Sequence, residues 1–175
     1  GFFFASLPDV EMSRFGGHVE WRNSIKHIQA EMGLRVDHHE VSAGVVLPSD
    51  AVPVGPLGLA NHFNAAQRQW SGQTVDAVSR FWLDMGDFTP RVTLARKTRN
   101  PNAVERFAWM PTEASGGLAD GNNYVGDQRL KPETAWVIEG GVDWSGQRAY
   151  VRPTIYYRRI DGYIQGVPYD DTPDI

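Results

Sequence analysis

Residues 135–158 alternate strictly between two kinds of side chain on either side of a short turn. Trp136, Ile138, Gly140, Val142 and Trp144 fall on one face, and Ala135, Val137, Glu139, Gly141 and Asp143 on the other. Past Ser145-Gly146-Gln147, the set Val151, Pro153, Ile155 and Tyr157 alternates with Tyr150, Arg152, Thr154, Tyr156 and Arg158. A 3.6-residue period would scatter both sets around a helix, whereas period 2 sorts them onto the two faces of a β-hairpin. Ile28–Asp37 repeats the pattern, with Ile28, Ala30, Met32, Leu34 and Val36 opposed to Gln29, Glu31, Gly33, Arg35 and Asp37. By the same reading, strands are expected near 16–23, 28–37, 75–84, 90–98, 134–144 and 148–160.

The connections between these strands alternate in length. Residues 24–27, 85–89 and 145–147 are short, whereas 38–74 and 99–131 are long. In an antiparallel up-and-down meander, successive connections lie at opposite ends, so all short turns share one end and all long loops the other. Short turns at one rim and long loops at the other mark transmembrane β-barrels. Strands of about 9–11 residues also suit a tilted bilayer crossing. Within the long stretches, residues 57–70 suit a short helix. Asn100-Pro101 reads as an N-cap followed by proline at the first helical position.

Two solvents are compatible with such faces. In a soluble β-sandwich, the apolar face packs on a second sheet and the charged face meets water. In a membrane barrel, the apolar face meets lipid, and aromatic residues ring it at two levels. Trp136 and Trp144 bracket the apolar face of one strand, and the loop lengths favour the barrel. The fold class expected is therefore all-β: an antiparallel up-and-down meander, part of a large transmembrane β-barrel with two long extracellular loops. Trp21, Trp136, Trp144 and Tyr157 are the candidates for the lipid-facing girdle. Glu20, Arg35, Arg80, Arg91, Glu139, Arg152 and Tyr156 are the candidates for the lumen.

Composition narrows the field. The chain has 175 residues and a formal net charge of −4, so a nucleic-acid partner is not expected. Cysteine is absent, which excludes thiolate chemistry and Cys-ligated metal from this stretch. No apolar run reaches the ~20 residues of a transmembrane helix. The segment 1–8 has no charged leader pattern and no initiating Met, and 172–175 stops without a terminal turn; both ends are expected to be cuts.

The order of several short elements resembles a known family. Pro90-Arg91-Val92-Thr93-Leu94-Ala95 is followed by Arg99-Asn100-Pro101, Glu105-Arg106-Phe107, Gly121-Asn122-Asn123-Tyr124-Val125-Gly126 and Leu130-Lys131-Pro132-Glu133. Glu139-Gly140-Gly141 and 156–164 then complete the series, and 33–39 adds an earlier element. Together these resemble the barrel of TonB-dependent outer-membrane receptors. The resemblance implies a barrel of about 22 strands with a plugged lumen, set in the outer membrane of a Gram-negative bacterium. Its expected partners are outer-membrane lipid, the plug domain of the same full-length chain, TonB acting through that plug, and a small ligand. The function it implies is energised uptake of a scarce ligand such as a metal chelate, siderophore, cobalamin or metal ion. The plug, the TonB box and a final strand ending in an aromatic residue are missing, so the chain reads as an internal piece of the barrel. The alternative is a soluble β-sandwich module binding a ligand or carbohydrate through Trp70, Trp109 and Tyr124.

Other candidates read as structural. His18, His27, His38, His39 and His62, with Met12, Met32 and Met85, invite a metal reading, but their spacing sends them to different faces and ends; no metal site and no cofactor are expected. Glu113, Asp120 and Asp127 are loop carboxylates for which a solvated role is expected. Arg158 joins the lumen arginines, for which ladders to neighbouring strands are expected. Asn122 and Asn123 between Gly121 and Gly126 suit a tight loop tip. The pairs Asp84/Asp87 and Asp170/Asp171 form no catalytic constellation. The chain is not expected to be an enzyme.

Overall fold

In a computed structural model, which describes residues 6–47, 54–110 and 124–167, the chain forms one open antiparallel sheet. The strands are β1 (Val10–Ile25), β2 (Ile28–Ala43), β3 (Gln69–Leu83), β4 (Phe88–Arg99), β5 (Glu133–Ser145), β6 (Tyr150–Val151) and β7 (Thr154–Asp161). The order is β1-β2-β3-β4-β5-β6, with β7 continuing along β5. Two helices stand in the long connections, α1 (Val54–Ala65) and α2 (Ala103–Phe107).

Paired residues share a face in such a sheet. One row runs Leu94–Ile138–Tyr157, and another Phe81–Val92–Gly140–Ile155. This face is left open: Trp136 is 51% exposed and Ile155 81%. Among the described residues no second sheet covers it, so the sandwich arrangement is not what the chain forms.

The strands run further than the alternation suggests. β1 begins at Val10 rather than near 16, and β2 and β3 extend to Ala43 and back to Gln69, shortening the expected loop 38–74. In these extensions the hydrophobic pattern inverts. Ser13, Glu40 and Ser71 now occupy the face that is apolar lower down, while Met12, Val41 and Trp70 occupy the other. The period survives but its contrast weakens and changes sign, which hides the strands from a pattern reading.

Three further expectations shift. The strand expected over 148–160 divides into β6 and β7. Pro153 lies at the break, where it has no N–H to give to a ladder. The helix expected within 57–70 lies at Val54–Ala65. Asn100 is not the cap of α2. Asn102 is, because its side chain accepts from the Glu105 N–H while the Glu105 carboxylate accepts from the Asn102 N–H, a reciprocal capping box.

Candidate functional site

Pairing of the strands places Glu20, Arg35, Arg80, Arg91, Glu139 and Tyr156 on the polar face, joined by Arg152 through its ion pair with Asp143. Trp21, Trp136, Trp144 and Tyr157 lie on the apolar face. The polar face is laced by cross-strand ion pairs. Glu31 takes Arg22 at 3.0 Å and Arg80 at 3.7 Å. Arg91 reaches Glu139 and Asp143, each at 2.8 Å, and also donates to Thr154; Arg152 shares Asp143. Arg91 can lie across β5 because it faces Gly141, where a Cβ would come within 2.9 Å of its Nη2. Asp37 is buried between Arg14 and Arg35, which both donate to it. Nearest-neighbour ladders, not an open cluster, occupy most of these charges.

At the loop end the polar face is roofed. Val41 and Ala43 from β2 pack with Val46, Ala60, Phe63, Phe107 and Trp109 from the loops. Phe63 and Phe107 meet edge-to-face, with centroids 6.5 Å apart and planes at 80°. Side chain and backbone tie the layers: Asn64 brackets Val46 through bonds of 2.9 and 2.8 Å, and Gln128 Nε2 donates to Phe63 O at 3.2 Å. Residues 126 and 127 strap α2 down, with Gly126 N–H to Ala108 O at 2.7 Å and Asp127 N–H to Glu105 O at 2.9 Å. Only glycine fits at 126, since a Cβ would sit 2.8 Å from the Arg106 carbonyl carbon.

Under this roof lies a cleft of about 420 Å³, lined by Met12, Arg14, His39, Trp70, Asn100 and Arg106 among others. At its edge Arg99 bridges Glu133 and Glu105, with contacts of 2.8 and 2.9 Å. Burial lowers the pKa of Arg106, and Asp127 only partly offsets this.

His38 pairs with Glu40 and His39 with Thr74, on opposite faces of β2. Among the described residues, no three His, Asp or Glu side chains gather as a metal site would require. Asp127 is bonded to Arg129 at 3.0 Å. Trp109 and Tyr124 are buried, at 3% and 6% exposure, so they offer no open aromatic platform. Glu113, Asp120, Gly121, Asn122, Asn123, Asp170 and Asp171 lie outside the described residues. Sequence reasoning missed Arg106 and Asn100 as cleft residues. Only the Asn102…Glu105 spacing could have placed the short helix that carries Arg106.

An open antiparallel meander with one bare apolar face, one charged face and its long loops at a single rim is a stretch of barrel wall. The model of the TonB-dependent receptor-like β-barrel matches residues 4–175, and the chain belongs to that family. Among solved structures it is similar to one described as the copper transporter OprC, at 16% identity and a TM-score of 0.63. That match covers 87% of this chain and 21% of the other, so the chain spans about a fifth of that protein. No curated protein matches.

Proposed function

We propose that the chain forms part of the wall of an outer-membrane receptor that takes up a scarce ligand with energy passed through TonB. The observation that carries this reading is the division of one sheet into a bare apolar face and an ion-laced polar face, with both long loops at one rim. In lipid, a wall of this kind needs every backbone group paired and its outward side chains apolar. The apolar face meets outer-membrane lipid, with Trp21, Trp136 and Trp144 towards its rims and Tyr157 level with Ile138 between them. The polar face lines the lumen around the plug of the full-length chain. Its pairing of Arg with Glu and Asp leaves few free charges, as suits a surface packed against another domain. Loops 44–68 and 100–132 stand outside the cell and receive the ligand, whose class includes metal chelates, siderophores, cobalamin and metal ions. None of these steps is catalytic.

Labelling of the full-length receptor in intact cells tests this orientation. Gly58→Cys, on α1, is expected to react with a membrane-impermeant maleimide added outside. Arg148→Cys, at the turn end, is expected to react only after the outer membrane is opened. Labelling of Arg148→Cys in sealed cells would contradict the orientation.

A further inference from the structure

The cleft beneath the loops contains a charge for which the described fold supplies no partner. Arg106 is 2% exposed, and its Nε and Nη1 have no hydrogen-bond acceptor. Its guanidinium carbon lies 4.7 Å from the Trp70 ring centroid. In the same lining, Asn100 Oδ1 is buried without a donor. A desolvated cation–π contact stabilises less than the burial of an unpaired ion costs. The indole therefore does not balance the burial.

The neighbouring carboxylates are already engaged. Asp76 accepts from the Thr98 N–H and hydroxyl at 2.7 and 2.6 Å. Glu105 and Glu133 hold Arg99, Asp127 holds Arg129, and Asp37 holds Arg14 and Arg35. To reach Arg106, Asp76 would have to give up its Thr98 bonds, and each of the other four a cation. Two donors of one guanidinium and an acceptor thus stand unmatched among the residues that line one cleft, on the face to which the loops are folded.

We propose that this cleft is an oxyanion site for a carboxylate that carries a neighbouring hydroxyl or amide N–H. Arg106 takes the carboxylate along one edge of the guanidinium, through Nη2–H together with either Nε–H or Nη1–H, the geometry a guanidinium offers and a lysine does not. Asn100 Oδ1 accepts from the hydroxyl or amide beside it. A volume of about 420 Å³ leaves room for more than a bare carboxylate. Nε and Nη1 are closed to solvent, so engagement of either swings the guanidinium off the Trp70 face. This assignment rests on the uptake reading and names the ligand chemistry for it.

The test uses the full-length receptor in detergent, titrated calorimetrically with malate, succinate and malamide. Malate is expected to bind, succinate more weakly for want of the hydroxyl, and malamide not at all. Arg106→Met is expected to weaken malate binding by about tenfold or more. The same variant is expected to melt no lower than wild type, because an apolar chain replaces an unpaired buried charge. Asn100→Ala is expected to reduce malate to the level of succinate. Absence of saturable malate binding in the wild type would overturn the proposal. So would unchanged binding in Arg106→Met with a lowered melting point, which would mark Arg106 as a packing partner of Trp70. A receptor that binds malate through Arg106 but fails the maleimide test keeps the site and loses the uptake orientation.

Discussion

Phe107→Ala is expected to release the loops while leaving the strands paired. Phe107 is 1% exposed and joins α2 to α1 through its edge-to-face contact with Phe63. Truncating a fully buried phenylalanine costs about 3–5 kcal/mol. The cluster it belongs to is small and sits at the loop end, away from the β3–β4–β5 ladders. The loss therefore falls on local opening of the loops rather than on the wall. Hydrogen exchange on the full-length receptor reads it directly: amides of 54–65 and 103–107 are expected to lose protection, while those of β4 and β5 keep theirs. Equal protection in variant and wild type would show that Phe107 does not hold the roof. A loosened roof would also open the Arg106 cleft, linking packing at the loop end to ligand retention.

Ile138→Arg is expected to be the most damaging single change on the wall. Ile138 lies in a row with Leu94 and Tyr157, between the levels of Trp136 and Trp144 on the apolar face. An arginine facing lipid near mid-depth costs roughly 2–4 kcal/mol, falling towards the interfaces. Tyr156→Arg, opposite Glu139 on the other face, is expected to stay within about 0.5 kcal/mol, since a cross-strand opposite-charge pair compensates the loss of the ring. Urea-titrated folding of the full-length receptor into vesicles measures both. A larger penalty for Tyr156→Arg than for Ile138→Arg would reverse the assignment of the faces.

The sequence was most informative where one face met one environment over its whole length. In the stretches 28–37 and 135–144, apolar contrast and period agree, and the expected faces are those of the observed register. Where β2 and β3 rise past that band, the apolar side chains Val41 and Trp70 change face because a loop core waits there. No single-strand pattern encodes that, since the partner residues Phe63 and Phe107 lie tens of positions away. The helix start slipped by two residues because Asn100-Pro101 carries a stronger local signal than the Asn102–Glu105 box that forms. Arg106 was invisible as a site residue. In sequence it is one more charged residue, and only the packing of Trp70 and the 126–127 strap against it makes it buried.

The central claim, that one face of this sheet meets lipid and the other a plug-filled lumen, is tested most directly by a nitroxide scan along β5 of the full-length receptor in bilayers. Labels at 136, 138, 140 and 142 are expected to be relaxed by lipid-soluble oxygen. Labels at 137, 139 and 141 should be shielded from it, giving period 2 throughout. Shielding of 136, 138, 140 and 142 from oxygen, or their exposure to a water-soluble relaxing agent, would contradict it.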